Sequence, residues 1–208
     1  MDMSLVKRLT LYSVAFVCGW VMMGLEILGG RILSPDFGSG VFVWGSVISV
    51  FLLSLSIGYY LGGWASARWP SPYVLGIVIF LAGLSVTPIA FWYARISGWF
   101  ADLGWNERYG ALAAASALFL VPSTLLGMVS PYCIRLLTTS VSRAGASAGS
   151  LYALSTIGSF LGCLHTAFYL ILSTGIRDSL LLGAGVLVGI AVILVIICSV
   201  ARDRADHM

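Results

Sequence analysis

Long apolar runs alternate with short polar breaks along the whole chain. Crossing roughly 30 Å of hydrocarbon takes about 20 apolar residues in a helix. Six segments qualify: about 9–33, 41–66, 72–94, 110–134, 149–172 and 177–200. The breaks carry turn chemistry. Ser34-Pro35-Asp36-Phe37-Gly38-Ser39-Gly40 separates the first pair, and Trp69-Pro70-Ser71-Pro72 the second and third. Ser142–Ser147, with Arg143 and Gly145, separates the fourth from the fifth, and Ser173-Thr174-Gly175 leaves a tight final turn. The pattern predicts an all-α membrane protein, with residues 1–208 forming a single six-transmembrane-helix bundle.

Composition removes the alternative of a water-soluble fold. The chain is 60% hydrophobic and 9% charged, with a mean hydropathy of +1.02. Soluble domains carry about a quarter charged residues, so this chain could not cover a surface facing water. The partner implied throughout is the lipid bilayer. A net charge of +3 with no basic run gives no footing for nucleic acid.

The few charges set an orientation. With the N-terminus inside, Lys7, Arg8, Arg68, Arg135, Arg143, Arg202 and Arg204 fall on inner segments. Arg95, Arg108 and Arg177 fall outside, beside Asp36, Asp102, Glu107 and Asp178. Lys and Arg concentrate on the cytoplasmic side, so both termini are expected in the cytoplasm and the chain in the cell inner (cytoplasmic) membrane. Trp44, Trp92, Trp99 and Trp105 then line the outer boundary and Trp64 and Trp69 the inner one, while Trp20 alone falls at mid-span. The first span follows Lys7 and Arg8 like a secretory signal, but its length and the lack of a small-residue cleavage site read as a retained anchor.

The connection Ala94–Tyr109 is longer than a turn. Ile96, Trp99, Phe100 and Leu103 recur there at helical spacing, which fits a short helix in the membrane interface or an irregular aromatic loop. Gly58 with Gly62, and Gly158 with Gly162, are helix-packing pairs that let backbones approach closely where lipid supplies no hydrophobic drive. Gly183-Ala184-Gly185 with Gly189 has the wrong spacing for a dinucleotide loop and no preceding strand, so it too reads as packing.

Chemistry inside the membrane is sparse. An ionisable side chain at mid-span costs roughly 2.5–3.5 kcal/mol on insertion scales, which singles out Glu26, Arg31 and His165 as the candidate ligand-binding residues. At 1.5 Å rise per residue, Glu26 lies about 7.5 Å and His165 about 6 Å beyond the middle of their spans, with Arg31 about 15 Å out. The two inner groups are therefore expected to meet, either as a cation or proton site or as a structural clasp, with Arg31 at the outer mouth. Arg135 snorkels at the inner boundary. Cys18, Cys133, Cys163 and Cys198 lie scattered in apolar stretches without ligand spacing and read as small buried hydrophobes. No nucleophile–base pair, catalytic residue or metal cluster is visible, so neither an enzyme nor a cofactor is expected.

Four blocks carry a family resemblance. Glu26-Ile27-Leu28-Gly29-Gly30-Arg31-Ile32-Leu33-Ser34-Pro35-Asp36-Phe37-Gly38, followed by Val43-Trp44, is similar to the first helix and loop of the membrane domain of spermidine synthase-like proteins. In those proteins major-facilitator-type helices are fused to a synthase. Gly58–Arg68, Gly127–Arg135 and Gly149–Gly158 resemble the same domain's second, fourth and fifth helices, so the resemblance runs from about residue 14 to 178. It implies a bundle resembling half of a major facilitator. It implies no synthase activity, because no glycine-rich cofactor loop, acidic ribose-binding residue or catalytic aspartate pair stands in these residues. Ala65 and Ser66 replace the acid that major facilitators place before the arginine of this motif, which weakens facilitator-type gating.

Two functions follow. One is a small transporter-like protein that dimerises around a path for a small cation or polyamine-related compound, with Glu26 as counter-charge and His165 as its proton-responsive neighbour. The other is a non-catalytic subunit that binds a larger membrane complex or a separate soluble synthase-like enzyme.

Overall fold

In the computed structural model, which describes residues 3–138 and 144–206, the chain is helical throughout, with no strand among the described residues. The helices are α1 (Met3–Phe37), α2 (Val41–Arg68), α3 (Pro72–Asp102), α4 (Glu107–Gly127), α5 (Val129–Leu137), α6 (Ala144–His165), α7 (Ile171–Ser173) and α8 (Gly175–Asp206), with a π-helical turn at Thr166–Leu170 between α6 and α7. Six stretches are long and apolar enough to cross a membrane: Leu5–Phe37, Val41–Arg68, Pro72–Asp102, Glu107–Leu137, Ala144–Ser173 and Gly175–Val200. The protein is thus a multi-pass membrane protein. An even number of alternating spans brings the start of α1 and the end of α8 to one end of the bundle; the opposite end is called distal below. Arg143, Ser142, Met1 and Met208 lie outside the described residues.

Several helices end later than the turn residues suggest. Pro35 is inside the last turn of α1, and the helix stops at Gly38, whose φ of +79° is open to glycine. α3 runs unbroken to Asp102, so Ala94–Tyr109 holds no separate interfacial helix. Its apolar residues continue α3, and the reversal is the short turn Leu103–Asn106, with Gly104 at φ +67°. Asn106 then caps α4 by accepting from the Arg108 N–H. The fourth span is split between α4 and α5 at Met128. Pro131 has no N–H for the carbonyl one turn before it, which loosens the helix there.

α1 is the central helix, packing against α6, α8, α4 and α2. Its buried face includes Leu11, Val14, Leu25, Ile32 and Leu33. The other spans pair off around it: α6 on α1, α2 on α4, and α3 on α8. Two of these pairings share one device. A Cβ on Gly158 or Gly162 would overlap the carbonyl oxygen of Phe16 or Trp20, and one on Gly58 would overlap that of Thr124. A Cβ on Gly62 would stand 2.6 Å from the Met128 carbonyl oxygen. In each case two glycines one turn apart meet two carbonyls one turn apart, so the helices run parallel with backbones in contact. The stretches concerned even share letters, Gly58-Tyr59-Tyr60-Leu61-Gly62 and Gly158-Ser159-Phe160-Leu161-Gly162. α3 and α8 are antiparallel, with Gly83 against Ala184 and Leu187, and Gly76 against Val195. The first three spans and the last three therefore pack as two like units of opposite direction.

Polar ties are few. Ser159 donates to the Gly19 carbonyl (3.2 Å) across the α1–α6 contact, and Tyr12 and Ser150 share a hydrogen bond of 2.8 Å nearer the chain termini. The fully buried Tyr132 of α5 donates its hydroxyl to the Trp69 carbonyl, tying the fourth span to the α2–α3 turn.

Candidate functional site

The parallel register of α1 and α6 sets the heights of the intramembrane groups. Phe16 faces Gly158, Trp20 faces Gly162 and Gly24 faces Thr166, each step advancing one turn on both helices. His165 is therefore level with Met23, about 4.5 Å nearer the middle than Glu26. The two groups share a layer, but the structure does not join them. Among the described residues neither side chain has a hydrogen-bond or ion-pair partner.

The reason is rotation about α1. The His165 ring packs on Trp20, centroids 5.4 Å apart, and on Tyr169 at 6.1 Å, so the three rings form a stack along the α1–α6 seam. Trp20 is six residues from Glu26, which at 100° per residue puts them about 120° apart around the helix. The Nδ1 atom of His165 is buried and has no partner among the described residues. Immediately beyond it the chain makes the π turn, with the Ile171 N–H reaching the Thr166 carbonyl. Such turns are uncommon and recur at functional positions. Behind the turn, Gly24, Thr166, Ser179 and Gly183 border a cavity of about 10 Å³, close to the space one water needs.

Glu26 lies elsewhere. Gly19, two turns before it on the same face, meets Ser155 and Ser159 of α6, and Gly30, one turn after it, meets the Trp44 ring of α2. Glu26 thus emerges where α6 and α2 part, and it is half-buried. The open sector of α1 beyond this point carries Glu26, Ile27, Arg31 and Ser34, all exposed or partly exposed. Arg31 is solvent-accessible on the far edge of that sector, one turn and a half toward the distal end. Arg135 is exposed near the end of α5, remote from both.

Trp20, Thr166 and Tyr169 belong to this region although charge and spacing do not mark them. Trp20 alone carries a visible signal, as a tryptophan away from either boundary belt. The four cysteines are free thiols, and among the described residues no three His, Cys, Asp or Glu side chains stand together as metal ligands. Comparison with protein-family models, with curated proteins and with solved structures finds no match.

Proposed function

We propose that this protein is a small transporter-like membrane protein in which Glu26 is the counter-charge for a small cation or polyamine-related compound. One observation carries the reading: a carboxylate without a protein partner among the described residues, set inside a span and opening where α6 and α2 separate. Intramembrane ionisable groups cost enough that they mark ion or substrate paths. Two like units of opposite direction support it further, because transporters built this way bind cargo near mid-membrane between their repeats. The sequence resemblance to the spermidine synthase-like membrane domain points to polyamine-related cargo. The Lys/Arg bias puts both termini in the cytoplasm and the distal end, with Arg31, outside.

The test is uptake of labelled spermidine and putrescine into proteoliposomes holding the full chain, with and without Glu26→Gln. The reading expects uptake by the wild type and at least a tenfold loss in the variant, at unchanged melting temperature. Wild-type uptake no faster than in empty vesicles, or equal uptake by the variant, overturns it.

A further inference from the structure

The exposed faces of the bundle are not alike. Along the middle of α3 and α8 the exposed side chains include Ile77, Phe80, Leu84, Val192, Ile193 and Ile196, all hydrocarbon. On α2 and the Ala144–Ser173 span, beside Ile57, Leu61, Phe160 and Leu164, they include four phenols: Tyr59, Tyr60, Tyr152 and, in the π turn, Tyr169, with Tyr60 76% and Tyr169 67% exposed. Tyr59 and Tyr60 stand only about 7–8 Å from the middle of Val41–Arg68 at helical rise, short of the boundary belt where tyrosines ordinarily sit. These two helices border one side of the molecule, since both flank Glu26 on α1. The α6 span is also the most open of the six, with 22% of its apolar window buried. A face in hydrocarbon should be aliphatic, whereas polar groups in a span turn toward protein or a cavity. The middle of the α3–α8 face meets that condition, and the phenols of α2 and the α6 span depart from it.

We propose that the tyrosine-bearing face of α2 and α6, with the open sector of α1 between them, is the contact surface for a second copy of this chain. Charge selects the occupant. The open sector presents one acid, Glu26, and one base, Arg31, neither of them with an ion-pair partner among the described residues. They are five residues apart on one helix and too far around it to pair with each other. A two-fold axis along the membrane normal sets Glu26 of one copy beside Arg31 of the other and the reverse, as an isologous interface requires. The height difference, about 7.5 Å, is one that an arginine side chain spans. A lipid tail offers the phenols and the carboxylate no partner. The inference goes beyond the transporter reading and does not rest on it: between copies Glu26 faces Arg31 of the partner subunit, so a cationic cargo binds Glu26 only by displacing that arginine. The contact is tested without transport.

The experiment places a photo-crosslinking benzoylphenylalanine in the full chain, in membranes, at Tyr60, Tyr169, Leu84 or Ile193, in cells that also make a copy with a different tag. Positions 60 and 169 are expected to give a product of twice the chain mass carrying both tags, and positions 84 and 193 none. Arg31→Glu should lower the crosslinked fraction at least several-fold, and the exchange Glu26→Arg with Arg31→Glu should restore it. A product of another mass, equal crosslinking at all four positions, or none at 60 and 169 in properly inserted protein overturns the proposal. A dimer without uptake would refute the transporter reading alone, and uptake without the dimer would refute the interface alone.

Discussion

Gly162 rests on the carbonyl oxygen of Trp20, so closely that any β-carbon would overlap it. Gly158 meets Phe16 in the same way one turn earlier, and this contact is what holds α6 to the bundle. Gly162→Leu must push the helices apart, at a cost of at least ~1–3 kcal/mol, the range for overpacking. The melting temperature in mild detergent should fall accordingly, and an unchanged value would mean that α6 does not pack on α1 in this way.

An adjacent pair gives an internal control. Gly62 meets Met128 and Pro131, whereas a Cβ on Gly63 would meet nothing within 4 Å. Gly63→Ala should therefore be neutral or stabilise by up to about 1 kcal/mol, the helix-propensity difference. Gly62→Ala should lower stability clearly. Equal effects at the two positions would refute the contact between α2 and the α4–α5 junction.

These contacts also show which features were legible in the sequence. The number of spans and the glycine pairs could be read directly, because both follow from one-dimensional patterns of apolar and small residues. Helix ends were less legible. Pro35 looks like a terminator, yet a proline in the last turn costs one hydrogen bond and the helix goes on to Phe37. Ile96, Trp99 and Phe100 had the right period but belonged to α3, since no break precedes them. Counting residues put Glu26 and His165 in one layer, though about 1.5 Å apart where the register of α1 and α6 makes it about 4.5 Å. Their rotation did not follow from counting, because it depends on which carbonyl each glycine of α6 meets. The π turn has no local sequence mark at all.

The topology reading predicts that reporters fused before Met1 and after Met208 both report the cytoplasm. Its basis is the distribution of Lys and Arg. A reporter active only outside the cytoplasm, at either end, would refute it and with it the assignment of Arg31 to the outer mouth.

Tyr132 is fully buried, and its hydroxyl donates to the Trp69 carbonyl between α2 and α3. Tyr132→Phe keeps the ring and removes the bond. The expected loss is about 1 kcal/mol, within the usual net range for a hydrogen bond, read as a lower midpoint in thermal unfolding. No loss would show that water satisfies that carbonyl equally well.

The His165 ring offers the sharpest separation of structure from chemistry. Its packing is aromatic, between Trp20 and Tyr169, while its buried Nδ1 finds no partner. An orphaned buried polar atom costs about 1–3 kcal/mol, and phenylalanine preserves the ring contacts without that atom. His165→Phe should therefore fold with a melting temperature equal to or above that of the wild type. His165→Ala should lose stability by removing the stack, on the scale of large-to-small core changes, about 3–5 kcal/mol when fully buried and less here. If His165→Phe instead destabilises the protein, Nδ1 is hydrogen-bonded in the membrane. If His165→Phe is stable but loses uptake in proteoliposomes, the imidazole serves the path through its proton and its packing is secondary.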